Sequence, residues 1–264
     1  MRATALAILA LCWLPRDVAA DPRLDALVAA YADHLTRYDN GSLVWSDGTR
    51  MPVSDGRTGK SFLDLLNAPD ILDQFAIPYP VGGEFRTPAQ NEDPGRIRNE
   101  RFFSKMYGDC RRGEVTRRLK RVAWLPGRGG GSVLATTVNG VANRLEAVAR
   151  DLEKLPANMT PYLVPSAGTF NCRVIAGTQR LSVHAYGAAI DLASKFGDYW
   201  QWSGGSSRSE LHPVNYKNRF PLEIVDVFER HGFIWGGKWS HYDTFHFEYR
   251  PEIIALARQG WPVK

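Results

Sequence analysis

His184 and Asp191 sit in the stretch Ser182-Val183-His184-Ala185-Tyr186-Gly187-Ala188-Ala189-Ile190-Asp191. An imidazole and a carboxylate are both ligands that zinc accepts. Gly187 lies between them, and glycine lets a chain turn back at no steric cost. A third candidate, His246, stands far downstream in His241-Tyr242-Asp243-Thr244-Phe245-His246-Phe247-Glu248-Tyr249. Three protein ligands with one open position is the pattern of a catalytic zinc rather than a structural one. The chemistry it supports is hydrolysis by an activated water.

Two short strands are needed to position these groups. In a strand over Ala189–Ala193, side chains alternate, so Ile190 and Leu192 face one side and Asp191 the other. In a strand over Phe245–Tyr249, Phe245, Phe247 and Tyr249 form a core face, while His246 and Glu248 form the face of the site. Hydrolysis also needs a general base. Glu248 shares a face with His246, either as that base or as a hydrogen-bond partner that orients a ligand. Asp243 competes for the role. It lies three residues before His246, so a regular strand would point it the other way, and its use requires a bend at Asp243-Thr244.

The rest of the chain reads as mixed helix and strand without repeats. Leu24, Leu27, Val28, Tyr31 and Leu35 recur at helical spacing, which predicts a helix over 24–38 stopped by Asn40-Gly41. A short strand follows at Leu43–Trp45. Ser61 caps a helix to about Leu66, with another apolar turn near Ile71–Phe75. Pro78, Pro80, Gly82 and Gly83 impose irregular chain. Ile97–Met106 reads as a helix ending at Gly108, and Val115–Leu125 with Val133–Val138 as a hairpin. Asn139 is expected to cap a helix whose face carries Val141, Leu145, Val148, Leu152 and Leu155, ended by Pro156. Phe170–Ile175 reads as a strand. Leu222–Arg230 reads as a helix led by Pro221 and ended by His231-Gly232, followed by a strand at Phe233–Trp235 and a terminal helix at Ile253–Ala257. The expected class is α+β, a small antiparallel sheet flanked by helices with the zinc site on one face of the sheet.

At 264 residues and 44% hydrophobic content, the chain has the makings of a soluble globular protein and not of a disordered or multi-span one. Residues 1–20 read as a signal peptide: Met1-Arg2 is a positive start, Ala3–Leu14 is an apolar run too short to span a bilayer comfortably, and Val18-Ala19-Ala20 offers a cleavage point. An uncleaved anchor is the alternative. Cys12 as a lipid attachment point is disfavoured by the large Leu11 before it. Removing residues 1–20 takes away two arginines and one aspartate, so the net charge falls from +5 to +4. A mildly basic secreted or periplasmic protein suits an anionic cell envelope, not nucleic acid, and no stable membrane span remains after cleavage. Cys110 and Cys172 are then the two remaining cysteines, expected to form a disulfide in an oxidising compartment. Closing that loop would contribute roughly 4 kcal/mol in the chain-entropy account. Two buried thiols are the alternative.

Other features are weaker. Gly127–Ser132 is glycine-rich but lacks the Lys-Ser/Thr ending of a phosphate loop, and reads as a hairpin turn. The basic run Arg111–Arg121 reads as a solvated face, with contact to anionic envelope polymer as the other reading. Tyr199, Trp200 and Trp202 either wall a cleft or pack on the core.

At the metal motifs the sequence resembles the M15 peptidases, zinc D-alanyl-D-alanine carboxypeptidases and endopeptidases that cut peptidoglycan stem peptides. The pattern S-x-H-x-x-G-x-A-x-D matches Ser182, His184, Gly187, Ala189 and Asp191, and D-x-x-H-F matches Asp243, His246 and Phe247. Gly168–Arg173, Ile175–Thr178 and Trp235-Gly236-Gly237 look like the phage-endolysin branch. The likeness covers about residues 115–255, and Trp45–Gly56 more loosely. It implies His184, Asp191 and His246 as Zn2+ ligands and Asp243, in preference to Glu248, as general base. It further implies Arg173 as the group that polarises the scissile carbonyl or steadies the oxyanion, with a surface salt bridge as the alternative. Ser182 would contact substrate or orient the loop, and His241 is left open between a substrate contact and a solvated position. The implied organisation is a signal peptide (1–20), an N-terminal helical and irregular segment packed on the core (21–114) and a peptidase-like catalytic domain (115–264). The alternative function is a non-catalytic cell-wall binding module on the same scaffold.

Overall fold

Asn40 and Gly41 both take positive φ, 46° and 70°. That is the signature of a two-residue turn matched to the twist of paired strands. It joins β1 (Leu35–Asp39) to β2 (Ser42–Trp45) as an antiparallel hairpin, with Asp39 opposite Ser42. The helix expected over 24–38 is therefore only α1, Pro22–Ala30, capped by Asp21. The apolar residues beyond it serve a strand, because Asn-Gly here reverses the chain rather than ending a helix. β3 (Arg50–Pro52) completes this three-stranded sheet. The computed structural model describes residues 21–82, 86–204 and 215–261; the candidate signal peptide at 1–20 and Gly83 lie outside them.

Local capping explains the next elements. The short helix α2 (Phe62–Asn67) starts at a reciprocal cap between Ser61 and Asp64. α3 (Glu100–Tyr107) begins later than Ile97 because the Asn99 side chain accepts from Phe102 N at 2.9 Å, and it ends at Gly108 as expected. It buries Phe102, Phe103, Met106 and Tyr107 on one face.

β4 (Leu119–Ala123) and β5 (Ser132–Thr136) form the expected hairpin, although Thr116–Arg118 is a 3-10 turn where strand was predicted. α4 (Val141–Leu152) buries Val141, Leu145, Val148 and Leu152 as the spacing requires. Its cap is Gly140, however, and Asn139 sits at φ 52° in the turn before it. α5 (Thr160–Leu163) follows. Phe170–Ile175 is not a strand. Its backbone bonds go to a turn and to its own returning limb, Asn171 N to His184 O at 3.1 Å and Ser182 N to Arg173 O at 3.0 Å, so no ladder can extend.

The sheet that matters for the site is β6 (Ala189–Asp191), β7 (Phe233–Trp235) and β8 (His246–Tyr249), antiparallel in the order β6-β8-β7. α6 (Leu222–Arg230) lies against its core face, where Phe228 and Phe247 stack with ring centroids 3.9 Å apart. α7 (Pro251–Arg258) follows β8 and meets α1, where the Tyr31 hydroxyl donates to Glu252 Oε2 at 2.6 Å. The class is α+β with small antiparallel sheets, as the sequence predicted. One continuous buried cluster runs from Leu24 and Phe102 through Tyr186 to Phe247. Cys110 and Cys172 form the expected disulfide, Cα atoms 5.7 Å apart, and so tie the chain after α3 to the loop carrying Arg173. Among the described residues no helix is long and apolar enough to cross a membrane.

Candidate metal centre

The pairing of β6 with β8 sets Asp191 directly opposite His246. Cross-strand partners share a face, so the carboxylate and the imidazole meet by register alone. His184 arrives from a 3-10 turn, Val183–Tyr186, that Ser182 caps by accepting from His184 N at 3.3 Å. Gly187 ends the turn at φ 66°; a Cβ there would lie 2.7 Å from Leu119 Cδ2 and 3.2 Å from Thr136 N. The β4–β5 hairpin thus presses the turn toward the sheet, and Thr136 N donates to Gly187 O at 2.9 Å.

Three ligand atoms converge. His184 Nε2 is 3.2 Å from Asp191 Oδ1 and 3.2 Å from His246 Nδ1, and His246 Nδ1 is 2.9 Å from Asp191 Oδ1. Tetrahedral zinc with nitrogen and oxygen ligands at its usual bond lengths separates neighbouring ligand atoms by roughly 3.3 Å. The triangle fits such an ion. These three are the group able to hold a metal among the described residues.

The outer ring nitrogens are also anchored. His184 Nδ1 bonds the Thr169 carbonyl, and His246 Nε2 lies 3.2 Å from Glu248 Oε2. Such contacts orient ligating imidazoles and fix which nitrogen faces the ion. Glu248 is itself gripped by Arg98 at 2.9 Å and Arg250 at 3.3 Å. Burial pushes the Glu248 carboxyl up, but Arg98, the His246 bond and Arg250 outweigh it and hold it at about 2. The cluster attracts positive charge: burial pulls His246 down, yet bonds from Asp191 and Glu248 raise it to about 10.

Asp243 differs from Glu248 in having an oxygen to spare. Its Oδ1 is buried with no hydrogen-bond partner. Burial first, and then the neighbouring Asp191 charge, push its carboxyl up to about 7. The bend its use demanded exists one residue on, at Thr244-Phe245, where His246 N donates to Asp243 O at 3.2 Å. Trp235 Nε1 donates to Thr244 O at 2.7 Å, and Thr244 and Asp198 exchange bonds of 2.8 and 2.9 Å, so the bend is pinned from both sides. Asp243 N donates to Gly236 O at 3.0 Å, and a Cβ on Gly236 would meet Asp243 O at 2.6 Å. That contact is why glycine stands at 236.

A cleft of about 490 Å³ opens over these groups, and Arg173, Ser182 and Asp243 all line it. Arg173 is exposed at its rim, with one long bond of 3.4 Å to Val174 O. Trp200 is buried, whereas Trp202 is 62% exposed and stacks on Phe245 at 5.7 Å, so the aromatic cluster divides between core and cleft wall. His241 is no solvated loop residue: it is buried, its Nδ1 lies 2.6 Å from Asp93 Oδ2, and its ring stacks on Phe62. Asp93 also holds Arg96 at 2.9 Å. Sequence reasoning missed Asp93 and Arg96, which lie in a Pro-Gly segment about which periodicity says nothing, and Arg98, which it placed inside the helix expected over Ile97–Met106. The alternation Arg96-Ile97-Arg98 was the one available signal.

Residues 176–249 match the M15 peptidase family model described as D-alanyl-D-alanine carboxypeptidase. The matched stretch contains Ser182, His184, Asp191, Asp243 and His246, and begins after Arg173. No curated protein and no solved structure matches the chain.

Proposed function

Starting from the M15 peptidase family, to which residues 176–249 belong, we propose that the protein is a secreted or periplasmic zinc metallopeptidase that hydrolyses peptide bonds in peptidoglycan stem peptides. The observation that carries this reading is the convergence of His184 Nε2, Asp191 Oδ1 and His246 Nδ1 beside a buried carboxyl group with an unpartnered oxygen. Zinc held by those three supplies Lewis acidity to the scissile carbonyl and to the attacking water. Thr169 and Glu248 keep the two imidazoles turned to the site. Asp243 Oδ1 takes the proton of the water and returns it to the leaving amine, a role suited to a carboxyl group raised toward neutrality. Arg173, at the rim, supports the negative charge that develops on the carbonyl oxygen. Ser182 shapes the turn that presents His184. The signal-peptide pattern and the disulfide agree with an oxidising compartment outside the cytoplasm.

Metal analysis of purified protein and mass spectrometry of digested muropeptides test the reading together. Stoichiometric zinc and cleaved stems are expected; loss of a terminal alanine identifies a carboxypeptidase, and separated cross-linked dimers an endopeptidase. Zinc-loaded protein that leaves every muropeptide intact overturns the enzymatic reading in favour of a wall-binding module.

A further inference from the structure

Trp202 is 62% exposed, whereas the other described tryptophans are buried or half-buried. Its position is nonetheless fixed. It sits in the 3-10 turn Trp200–Ser203, which Gly204 ends at φ 91°. Trp200 N donates to Tyr242 O at 2.9 Å, Trp202 N donates to Tyr199 O at 2.9 Å, and the Tyr242 hydroxyl donates to Ser203 Oγ at 2.6 Å. Tyr199 also bridges to Asp243, so the turn is tied to the segment that carries the candidate base.

The indole rests on a stack. Phe245 lies nearly parallel to it, with 15° between the planes, and the Tyr199 ring stands across it at 81°. Phe245 is buried and seated over Gly197, where a Cβ would run into its ring. None of these rings takes part in the proposed hydrolysis. A rigid, exposed indole keeps a flat apolar face against water, and a ligand that covers the face relieves that cost. The platform is continuous with the cleft over the metal centre: Tyr199, Gln201, Trp202 and Phe245 all line it, and Phe245 directly precedes His246.

We infer that Trp202 is the stacking platform for a sugar ring of the glycan that carries the stem peptide. The inference rests on the peptidase reading and deepens it: the substrate is a stem still attached to its sugar. A pyranose ring offers a flat C–H face bordered by hydroxyl groups. The C–H face matches the open indole, and Gln201, half-buried in the same cleft, brings an amide whose donors and acceptor suit hydroxyls. An aliphatic side chain of the peptide would be better served by an enclosed pocket than by one open face. Because Trp202 stacks on the chain neighbour of a candidate ligand, the sugar and the cut bond lie within a few residues of each other.

The test compares two substrates of the zinc-loaded protein, a stem peptide bearing its disaccharide and the same peptide with the sugar removed. The sugar is expected to lower KM about tenfold with kcat little changed, because the stack forms away from the reacting atoms. Trp202→Leu, which keeps an apolar side chain but no flat ring, should bring the KM ratio of the two substrates to about one, and Trp202→Phe should keep part of it. Zinc content and Tm report whether each variant is folded. Saturation-transfer NMR on zinc-loaded Asp243→Asn protein needs no change at Trp202: irradiating the protein's aromatic protons should transfer saturation to the sugar C–H protons. Equal KM for the two substrates overturns the inference. So does a ratio that survives Trp202→Leu in folded, zinc-loaded protein, or transfer that reaches the peptide alone. If the wild type cuts neither substrate while the Asp243→Asn protein still shows transfer to the sugar, the peptidase reading fails and the platform stands.

Discussion

Asp191 and His246 face each other across the β6–β8 ladder, with Asp191 Oδ1 2.9 Å from His246 Nδ1. The pair is fixed by strand register, and a one-residue slip of either strand would turn its side chain to the opposite face and part the two. His184 then needs only a short capped turn to complete the triangle.

Removing a ligand should remove the metal. His246→Ala is expected to abolish stoichiometric zinc, and Glu248→Gln to weaken zinc retention by about 10- to 100-fold, since it loosens the orientation of His246. Glu248→Gln also leaves Arg98 without its carboxylate partner, while Arg250 keeps Glu252 at 2.6 Å, and breaking the Arg98 pair costs about 3 kcal/mol. Competition with a chelator and thermal unfolding report the two effects separately.

Asp243→Asn should keep zinc yet lower kcat by about 10²- to 10⁴-fold. Its Tm should not fall, because the substitution replaces a buried carboxyl group with an unpartnered oxygen by an amide that cannot ionise. A large loss of Tm in the variant would show that Asp243 holds the bend rather than serving the reaction.

Gly236→Ala is predicted to destabilise by about 1–3 kcal/mol, the range for overpacking. The added methyl group meets a backbone oxygen, Asp243 O, that cannot rotate away. Activity should fall further than in Gly131→Ala, where the same group meets open space. Urea denaturation and steady-state kinetics on both variants check this.

Acid stability should depend on Asp93. Burial pushes this carboxyl up, but Arg96 and His241 more than compensate and hold it well below the usual carboxylate range. A carboxyl group depressed on folding contributes stability above its unfolded pKa, near about 4, and loses it as pH falls below that value. Urea midpoints measured from pH 6 down to pH 2 should therefore fall more steeply in the wild type than in Asp93→Asn. Parallel slopes would remove Asp93 from the account.

Reduction of Cys110–Cys172 is expected to lower stability by roughly 4 kcal/mol if chain entropy dominates. It should also lower kcat while zinc content holds, because the bridge anchors the residue next to Arg173 and touches no ligand. Combining Cys172→Ser with Arg173→Ala should add little to Arg173→Ala alone.

The candidate ligands are legible in the sequence because residue type and strand alternation are local properties. The same holds for α4, whose apolar face follows from spacing along one helix. Where local signals compete, the reading failed. The apolar period from Leu24 ran on to Tyr38, but the Asn40-Gly41 turn claimed the last four of those residues for a hairpin. Phe170–Ile175 has strand composition, yet a strand needs a neighbour to pair with, and the turn bearing His184 took its backbone bonds instead.

The sequence by itself determined the class of fold, the three candidate ligands, the candidate disulfide pair and the existence of two rival carboxylates, since each depends on residue type, short-range period or simple count. Only the tertiary structure shows how differently those rivals are held. Glu248 and Asp243 are both acidic residues near His246, but Arg98 from a distant segment, with Arg250 two residues on, consumes Glu248, and a bend pinned by Trp235 and Asp198 leaves an oxygen of Asp243 unpartnered. Partners so far apart along the chain meet only when the whole core closes, because burial and charge pairing are properties of the packed molecule rather than of any segment.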